Sequence, residues 1–386
     1  MKAMLLIGYK TENYGSVLQS VATYEMIRKL DIECNVINLD ALWKSSRKKK
    51  LLFYIIHFEL PFLIKSKGGM AKNRINALSH SDYGEGKAKR KDSFRQFLNS
   101  RLQFTKEYKK WKELQEDSEN YDYVILGSDQ VWLPSSVVTD VYTLSFATKA
   151  RKIAYAPSFG IKSIPVKYWP KYKKMLDDLD AVSVREINGQ SIIREISGKE
   201  CPVVLDPVFM ISRKEWISII SLKRLVDEDY IFVYLLGKNK WQREYIKKVS
   251  QKTKLPIVGL IHLDEYIASD CDLYDKCVIG ASPEEMLNYI RGAKYIFTDS
   301  FHGAAFSIIE NKEFWVFERF AANSVASTND RIYSLLNVIN LKDRIITKND
   351  DVIQINNVID YQIINEKINE YITKSYCFLI QAIKEE

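Results

Sequence analysis

Along most of the chain, short apolar runs alternate with stretches of helical periodicity, a pattern that predicts a parallel sheet covered by helices on both faces. Residues 3–9 read as a strand and 14–30 as a helix, with Asn13 placed to cap it. Further strands are predicted at 36–39, 123–126, 153–155, 181–184 and 203–205. A second series begins near residue 229, with strands at 230–236, 256–261, 295–298 and 314–317. Its helices are predicted at 241–253, from Ser282-Pro283-Glu284-Glu285 onward, and at 303–311. Two such series predict an α/β protein with two Rossmann-like lobes facing across a cleft. The N-terminal lobe takes residues 1–205 and the C-terminal lobe takes 206–345. The changeover falls between Asp206 and Glu228, and a helical tail, 346–386, packs back across the hinge. In open α/β sheets ligands bind beyond the carboxyl ends of the strands, so candidate site residues are those that follow strands.

Composition narrows the class. A chain of 386 residues with 46% apolar and 27% charged positions suits two globular domains. Cys34, Cys201, Cys271, Cys277 and Cys377 are scattered, with no Cys-x-x-Cys pair, which argues against a disulfide framework or a zinc site and for a cytoplasmic setting. No targeting segment is read at the N-terminus. The net charge of +8 is local: residues 44–112, read as a basic and apolar insertion, carry about 19 Lys/Arg against about 5 Asp/Glu. Within it, 51–64 is the most apolar run of the chain, flanked by Arg47-Lys48-Lys49-Lys50 and by Lys65 and Lys67. It is too short to span a bilayer. Two readings stand: a helix lying on the anionic inner membrane face, or a buried helix with a solvated basic flank. Nucleic acid is not expected as a partner, because the aromatic residues form one block instead of alternating with basic ones.

Five polar clusters follow predicted strands. Asn13-Tyr14-Gly15-Ser16 opens the first helix, where free N–H groups suit an anion or a sugar hydroxyl; neither Gly-x-Gly-x-x-Gly nor a P-loop is present, so no nucleotide cofactor is signalled. Gly127-Ser128-Asp129-Gln130-Val131-Trp132 offers amides, a carboxylate and an indole, a combination that binds sugars. Residues 155–160 form the third, and Ser183-Val184-Arg185-Glu186 the fourth, with Arg185 placed to hold a phosphate or carboxylate or to pair with Glu186. The fifth is Thr298-Asp299-Ser300-Phe301-His302-Gly303. His302, one of four histidines, beside Asp299 is the best general acid or base available. No histidine or cysteine pair has the spacing of a metal site.

Taken in order, these clusters resemble the polysaccharide pyruvyl transferase family. The likeness runs over roughly residues 8–345 and includes Asn13-Tyr14-Gly15-Ser16-Val17-Leu18-Gln19, the cluster ending at Trp132, Leu205-Asp206-Pro207, the His302 loop, and Arg331 before Leu335-Leu336. The resemblance implies a fold like that of the glycosyltransferase B class. It also implies transfer of an enolpyruvyl unit from phosphoenolpyruvate, as donor substrate and without a cofactor, onto two hydroxyls of a sugar to form a cyclic ketal. By motif, His302 matches the family's catalytic histidine and Arg185 its donor-binding arginine. Familiar members have Arg-Leu-His where this chain has Ser300-Phe301-His302, so two readings stand: Arg331 or Arg319 replaces the lost cation beside Ser300, or the donor differs. Asn13, Tyr14, Asp129, Gln130 and Trp132 are assigned to the acceptor, a sugar or lipid-linked oligosaccharide. Two other classes stay open: a nucleotide-sugar glycosyltransferase of the same fold, and a non-enzymatic glycolipid-binding scaffold; the Glu-x₇-Glu spacing of Glu310 and Glu318 is read as chance, since one falls late in a helix and the other at a strand end.

Overall fold

In the computed structural model the described residues are 1–44, 51, 53, 81–320, 329–351 and 358–384. The apolar run 51–64, where membrane docking is expected, lies almost wholly outside them.

Strands β1 (Lys2–Leu6), β2 (Glu33–Asn38), β3 (Phe104–Glu107), β4 (Tyr123–Leu126), β5 (Arg151–Ala154) and β6 (Ala181–Val182) form a parallel sheet in the order β3-β2-β1-β4-β5-β6. Strands β7 (Ile231–Tyr234), β8 (Ile257–Leu260), β9 (Lys276–Val278), β10 (Tyr295–Thr298), β11 (Glu313–Phe317) and β12 (Ile345–Ile346) form a second, in the order β12-β11-β10-β7-β8-β9. Each sheet is doubly wound. Strand order reverses between β1 and β4 in the first and between β7 and β10 in the second, and at such switch points the loops diverge and leave a crevice. The central strands are apolar without alternation because both faces are covered: every residue of β4 and β7 is buried.

The departures from the sequence reading lie mostly at edges. β3, β9 and β12 are short edge strands without an apolar run to announce them. The run 203–205 makes a single bridge, Val184 with Val203, instead of a strand. One amide is diverted, since the Leu205 N–H donates to Ser375 Oγ of the tail helix at 3.0 Å.

Residues 81–112 of the basic stretch belong to the folded body. Ser81–Arg101 is a 21-residue helix wedged against the second lobe, and the chain then supplies β3. Tyr83 donates to Leu263 O at 2.7 Å. Arg90, only 3% exposed, joins Asp264 of the second lobe at 2.7 Å to Glu12 of the first at 3.5 Å. The first helix, Tyr14–Arg28, is buried nearly all round because the second lobe covers its outer face. Its buried polar side chains donate within the helix: Gln19 Nε2 to Thr23 Oγ1 and Ser20 Oγ to Ser16 O. The helix Tyr361–Lys384 starts on the second lobe, where Tyr361 donates to Lys312 O, and ends on the first, where Tyr123 Oη reaches Ile383 O at 3.0 Å and Arg151 Nε reaches Ala382 O at 2.7 Å. Its 24 residues span about 36 Å, enough to strap the lobes together. Among the described residues no helix is long and apolar enough to cross a membrane.

Candidate active site

The loops after β1, β4 and β10 meet in a cavity of about 340 Å³ between the lobes. Gly8, Thr11, Asn13, Ser16, Asp129 and Gln130 line it from the first lobe; Leu236, Ser300, Phe301, His302, Arg319 and Arg331 line it from the second. It sits where both switch points open toward each other.

Each wall is set by local chemistry. Asn13 caps the first helix, its Oδ1 accepting from the N–H groups of Gly15 (2.9 Å) and Ser16 (3.4 Å), so its carbonyl oxygen is committed to the backbone. Asp129 has φ +87°, a left-handed conformation that costs a non-glycine residue energy and is held here by three bonds. Its carbonyl accepts from Val131 and Ser158, each at 2.8 Å, and its Oδ1 accepts from Gln130 N at 2.8 Å. Ser16 Oγ donates to its other carboxylate oxygen. On the second lobe Ser300 caps the helix Phe301–Ile309 by accepting from Gly303 N at 3.3 Å, and so fixes the turn that presents His302.

His302 is 6% exposed, and what remains open faces the cavity. Its Nε2 has no hydrogen-bond partner and stands 3.7 Å from Asp206 Oδ2. The same oxygen accepts from Arg185 Nη1 at 2.6 Å and from Ser128 Oγ at 3.1 Å. Burial acts to raise the Asp206 carboxyl, but His302 and then Arg185 outweigh it and hold the group well below the usual carboxylate range.

The other side of the ring rests on the first helix. A Cβ at Gly15 would fall 2.0 Å from His302 Nδ1 and 2.4 Å from its Cγ, a contact no side chain tolerates. Gly15 is therefore required by close approach. We predict that Gly15→Ala pushes the imidazole out of place and lowers turnover about 100-fold with little change in melting temperature; kcat and a thermal melt on the same variant check this.

Arg185 lies one layer behind the cavity. Its side chain is 1% exposed and surrounded by acids: Asp206, Asp129 Oδ1 at 3.5 Å and Glu186 Oε2 at 3.7 Å. Phe301 screens it, with the guanidinium 5.0 Å from the ring centroid. Burial raises Glu186 above the ordinary carboxylic value against the pull of Arg185. Arg331, partly buried, stands 5.9 Å from the same Phe301 ring, and its Nε lacks a partner. Burial, and next the charge of Arg185, hold Arg331 below its usual value. An anionic ligand in the cavity would relieve that excess of positive charge. Arg319 also faces the cavity, while donating to the Asp299 carbonyl at 2.7 Å.

Four sequence assignments are corrected, the first being Arg185, which pairs with Asp206 behind the cavity instead of lining it for the donor. Asp299 is not the partner of His302: its carboxylate accepts from the N–H groups of Leu236 (2.7 Å) and Gly237 (2.8 Å) and pairs with Arg319, so it builds the loop after β7. Trp132 is wholly buried, its Nε1 bonded to Tyr142 O and its ring against Phe159, so it has no face to offer a sugar. Tyr14 points into the lobe interface, donating to Ala281 O at 2.8 Å and packing on Phe94 and Tyr234. The Glu-x₇-Glu pair also lies elsewhere, Glu310 held by Arg213 and Arg291, and Glu318 by Tyr333. The sequence reading passed over Asp206 as a site residue and Trp43 in the cavity wall. Both follow strand-like runs, the one signal that pointed to them.

Among the described residues no group of three or more His, Cys, Asp or Glu is placed to hold a metal ion. No curated protein sequence matches the chain. Similar solved structures include the UDP-GlcNAc 2-epimerase of Methanocaldococcus jannaschii, 12% identical over 96% of this chain and 92% of that one, with a TM-score of 0.51. The UDP-GlcNAc 2-epimerase of Neisseria meningitidis is 10% identical over 98% and 100%, with a TM-score of 0.49. The E. coli ADP-heptose lps heptosyltransferase II is 10% identical over 97% and 100%, with a TM-score of 0.41. At 12% identity the first is a likeness of fold, two doubly wound lobes of the glycosyltransferase B kind. A family model for polysaccharide pyruvyl transferase matches residues 13–319, from the cap of the first helix to the arginine that holds Asp299. With most of its length so matched, the chain belongs to the polysaccharide pyruvyl transferase family.

Proposed function

We propose that the protein moves the enolpyruvyl unit of phosphoenolpyruvate onto two hydroxyls of a sugar in a polysaccharide precursor, forming a cyclic ketal and releasing phosphate. One observation supports this reading above the others: an imidazole with an unpartnered Nε2 and two arginines, Arg319 and Arg331, face a single cavity between the lobes.

The chemistry asks for what those residues offer. Protonation of the donor's methylene carbon by the His302 imidazolium uses the C=C electron pair and leaves positive charge on the adjacent carbon, shared with its bridging oxygen. The first sugar hydroxyl bonds to that carbon and gives its proton back to the imidazole. Phosphate departs with the C–O electron pair, and the second hydroxyl closes the ring, its proton leaving on phosphate. Arg319 and Arg331 hold the donor's phosphate and carboxylate, and Arg331 stands in for the cation missing at Ser300. Ionised Asp206 steadies the imidazolium, and Arg185 acts through Asp206 and Asp129 instead of touching the donor. Asp129 and Gln130, facing the cavity from the first lobe, take the acceptor hydroxyls.

A ligand at excess concentration raises apparent stability, which gives a direct test. Phosphoenolpyruvate at about 100 times its Kd is expected to add about 2.7 kcal/mol, read as a rise in melting temperature, with UDP and GDP inert. Stabilisation by the nucleotides and not by phosphoenolpyruvate would favour nucleotide-sugar chemistry instead.

The acceptor is proposed to be carried on a lipid at the inner membrane face, because the run 51–64 is apolar and flanked by basic residues. Flotation with anionic liposomes at low salt is expected to carry the protein upward, and protein left in the heavy fraction contradicts this part of the reading.

A further inference from the structure

A second cavity, of about 310 Å³, lies beyond the carboxyl ends of β1 and β2, on the ligand-binding side of the first sheet, with Phe104, the first residue of β3, in its lining. It adjoins the first. The loop 8–13 is the wall between them: Gly8 and Asn13 face the reaction cavity, Tyr9, Lys10 and Glu12 face the second, and Thr11 lines both.

Its floor is aromatic. The Tyr9 and Phe104 rings lie 5.1 Å apart at 59°, with Phe94 beside them. The Tyr9 hydroxyl is committed to the backbone, donating to Ile37 O and accepting from Leu39 N, each at 3.2 Å, and Lys10 Nζ stands 4.9 Å from its ring centroid, so the ring is fixed and half-buried Phe104 offers the more open aromatic surface. The rim is polar and of both signs: Asn38, Glu12 and Asp40, the last paired with Lys10, together with Lys91 and Arg95. Arg90 steadies the dividing wall by pairing Glu12 with Asp264 of the second lobe.

This combination selects a ligand class. A pyranose ring has an apolar C–H face for an aromatic floor and equatorial hydroxyls for amides, carboxylates and cations around it. A wholly apolar ligand would strip water from the rim without replacing its hydrogen bonds. The volume suits one sugar unit. We infer that this second cavity is a subsite for the sugar next to the one that reacts, so that the protein reads at least two units of its acceptor. This rests on the proposed reading that the acceptor is a saccharide.

The test uses the full chain with β-linked gluco- and galacto-oligosaccharides of one to four units, following phosphate release from phosphoenolpyruvate. Asn99→Trp fills the cavity from an exposed position on the helix Ser81–Arg101, and Arg95→Ala, also exposed, removes a rim cation. For the acceptor that reacts, KM is expected to fall about tenfold from one unit to two, and each variant is expected to reverse that gain while leaving the KM for single sugars and for phosphoenolpyruvate as in the wild type. A KM indifferent to acceptor length, or raised equally for single sugars, overturns the subsite. If no acceptor releases phosphate, the reaction assigned above fails and the subsite is judged by binding alone: line broadening of the longer oligosaccharides in NMR that Asn99→Trp abolishes supports it, and equal or absent broadening overturns it.

Discussion

His302→Ala is expected to lower acceptor-dependent phosphate release from phosphoenolpyruvate by about 10²–10⁴-fold, the range general acid–base groups supply. The same variant is expected to keep the thermal shift given by phosphoenolpyruvate, because Arg319 and Arg331 still face the cavity. Its stability should fall modestly, since the imidazole borders an existing cavity and its Nε2 makes no hydrogen bond, yet the ring helps to hold the Asp206 carboxyl down. The separation of binding from turnover is what distinguishes a proton carrier from a binding residue. An unchanged rate would remove His302 from the chemistry.

Arg185→Ala is expected to act first on stability. The guanidinium is 1% exposed and stands among Asp206, Asp129 and Glu186, so removing it leaves buried carboxylates without their shared cation, at a cost of about 3–5 kcal/mol. The urea midpoint should fall accordingly. The sign of the pH effect follows from Asp206, whose carboxyl is depressed in the folded state: its contribution is present above the ordinary value of about 4 and lost as pH falls through the folded one. Arg185 is one source of that depression, so in the variant the acid limb of the stability profile should flatten. A direct donor ligand would instead raise the KM for phosphoenolpyruvate and leave the midpoint alone, and that outcome would return Arg185 to the cavity.

The division of legible from illegible features follows from the length scale of each interaction. Apolar runs announced the central strands because burial on both faces forbids alternation, and the rule that ligands gather after strands found His302, Asp129, Gln130 and Ser300. Ring orientation is not written locally. Trp132 and Tyr14 follow strands as a sugar-stacking residue should, yet Tyr142 O and Ala281 O take their polar atoms and turn both rings into packed interiors. The partner of His302 is a long-range fact as well. Asp299 is three residues away in sequence but is consumed by the loop after β7, whereas Asp206, 96 residues away, reaches the imidazole only once the lobes have docked. Gly15 shows the same dependence, since its need for no side chain comes from a ring on the other lobe.

The most direct test of the account is product analysis. Incubated with phosphoenolpyruvate and a panel of lipid-linked sugars, the protein is predicted to add one pyruvyl group, held as a ketal, to one acceptor and to release one phosphate per group added. Transfer of a sugar from a nucleotide donor to the same panel, with phosphoenolpyruvate untouched, would contradict it.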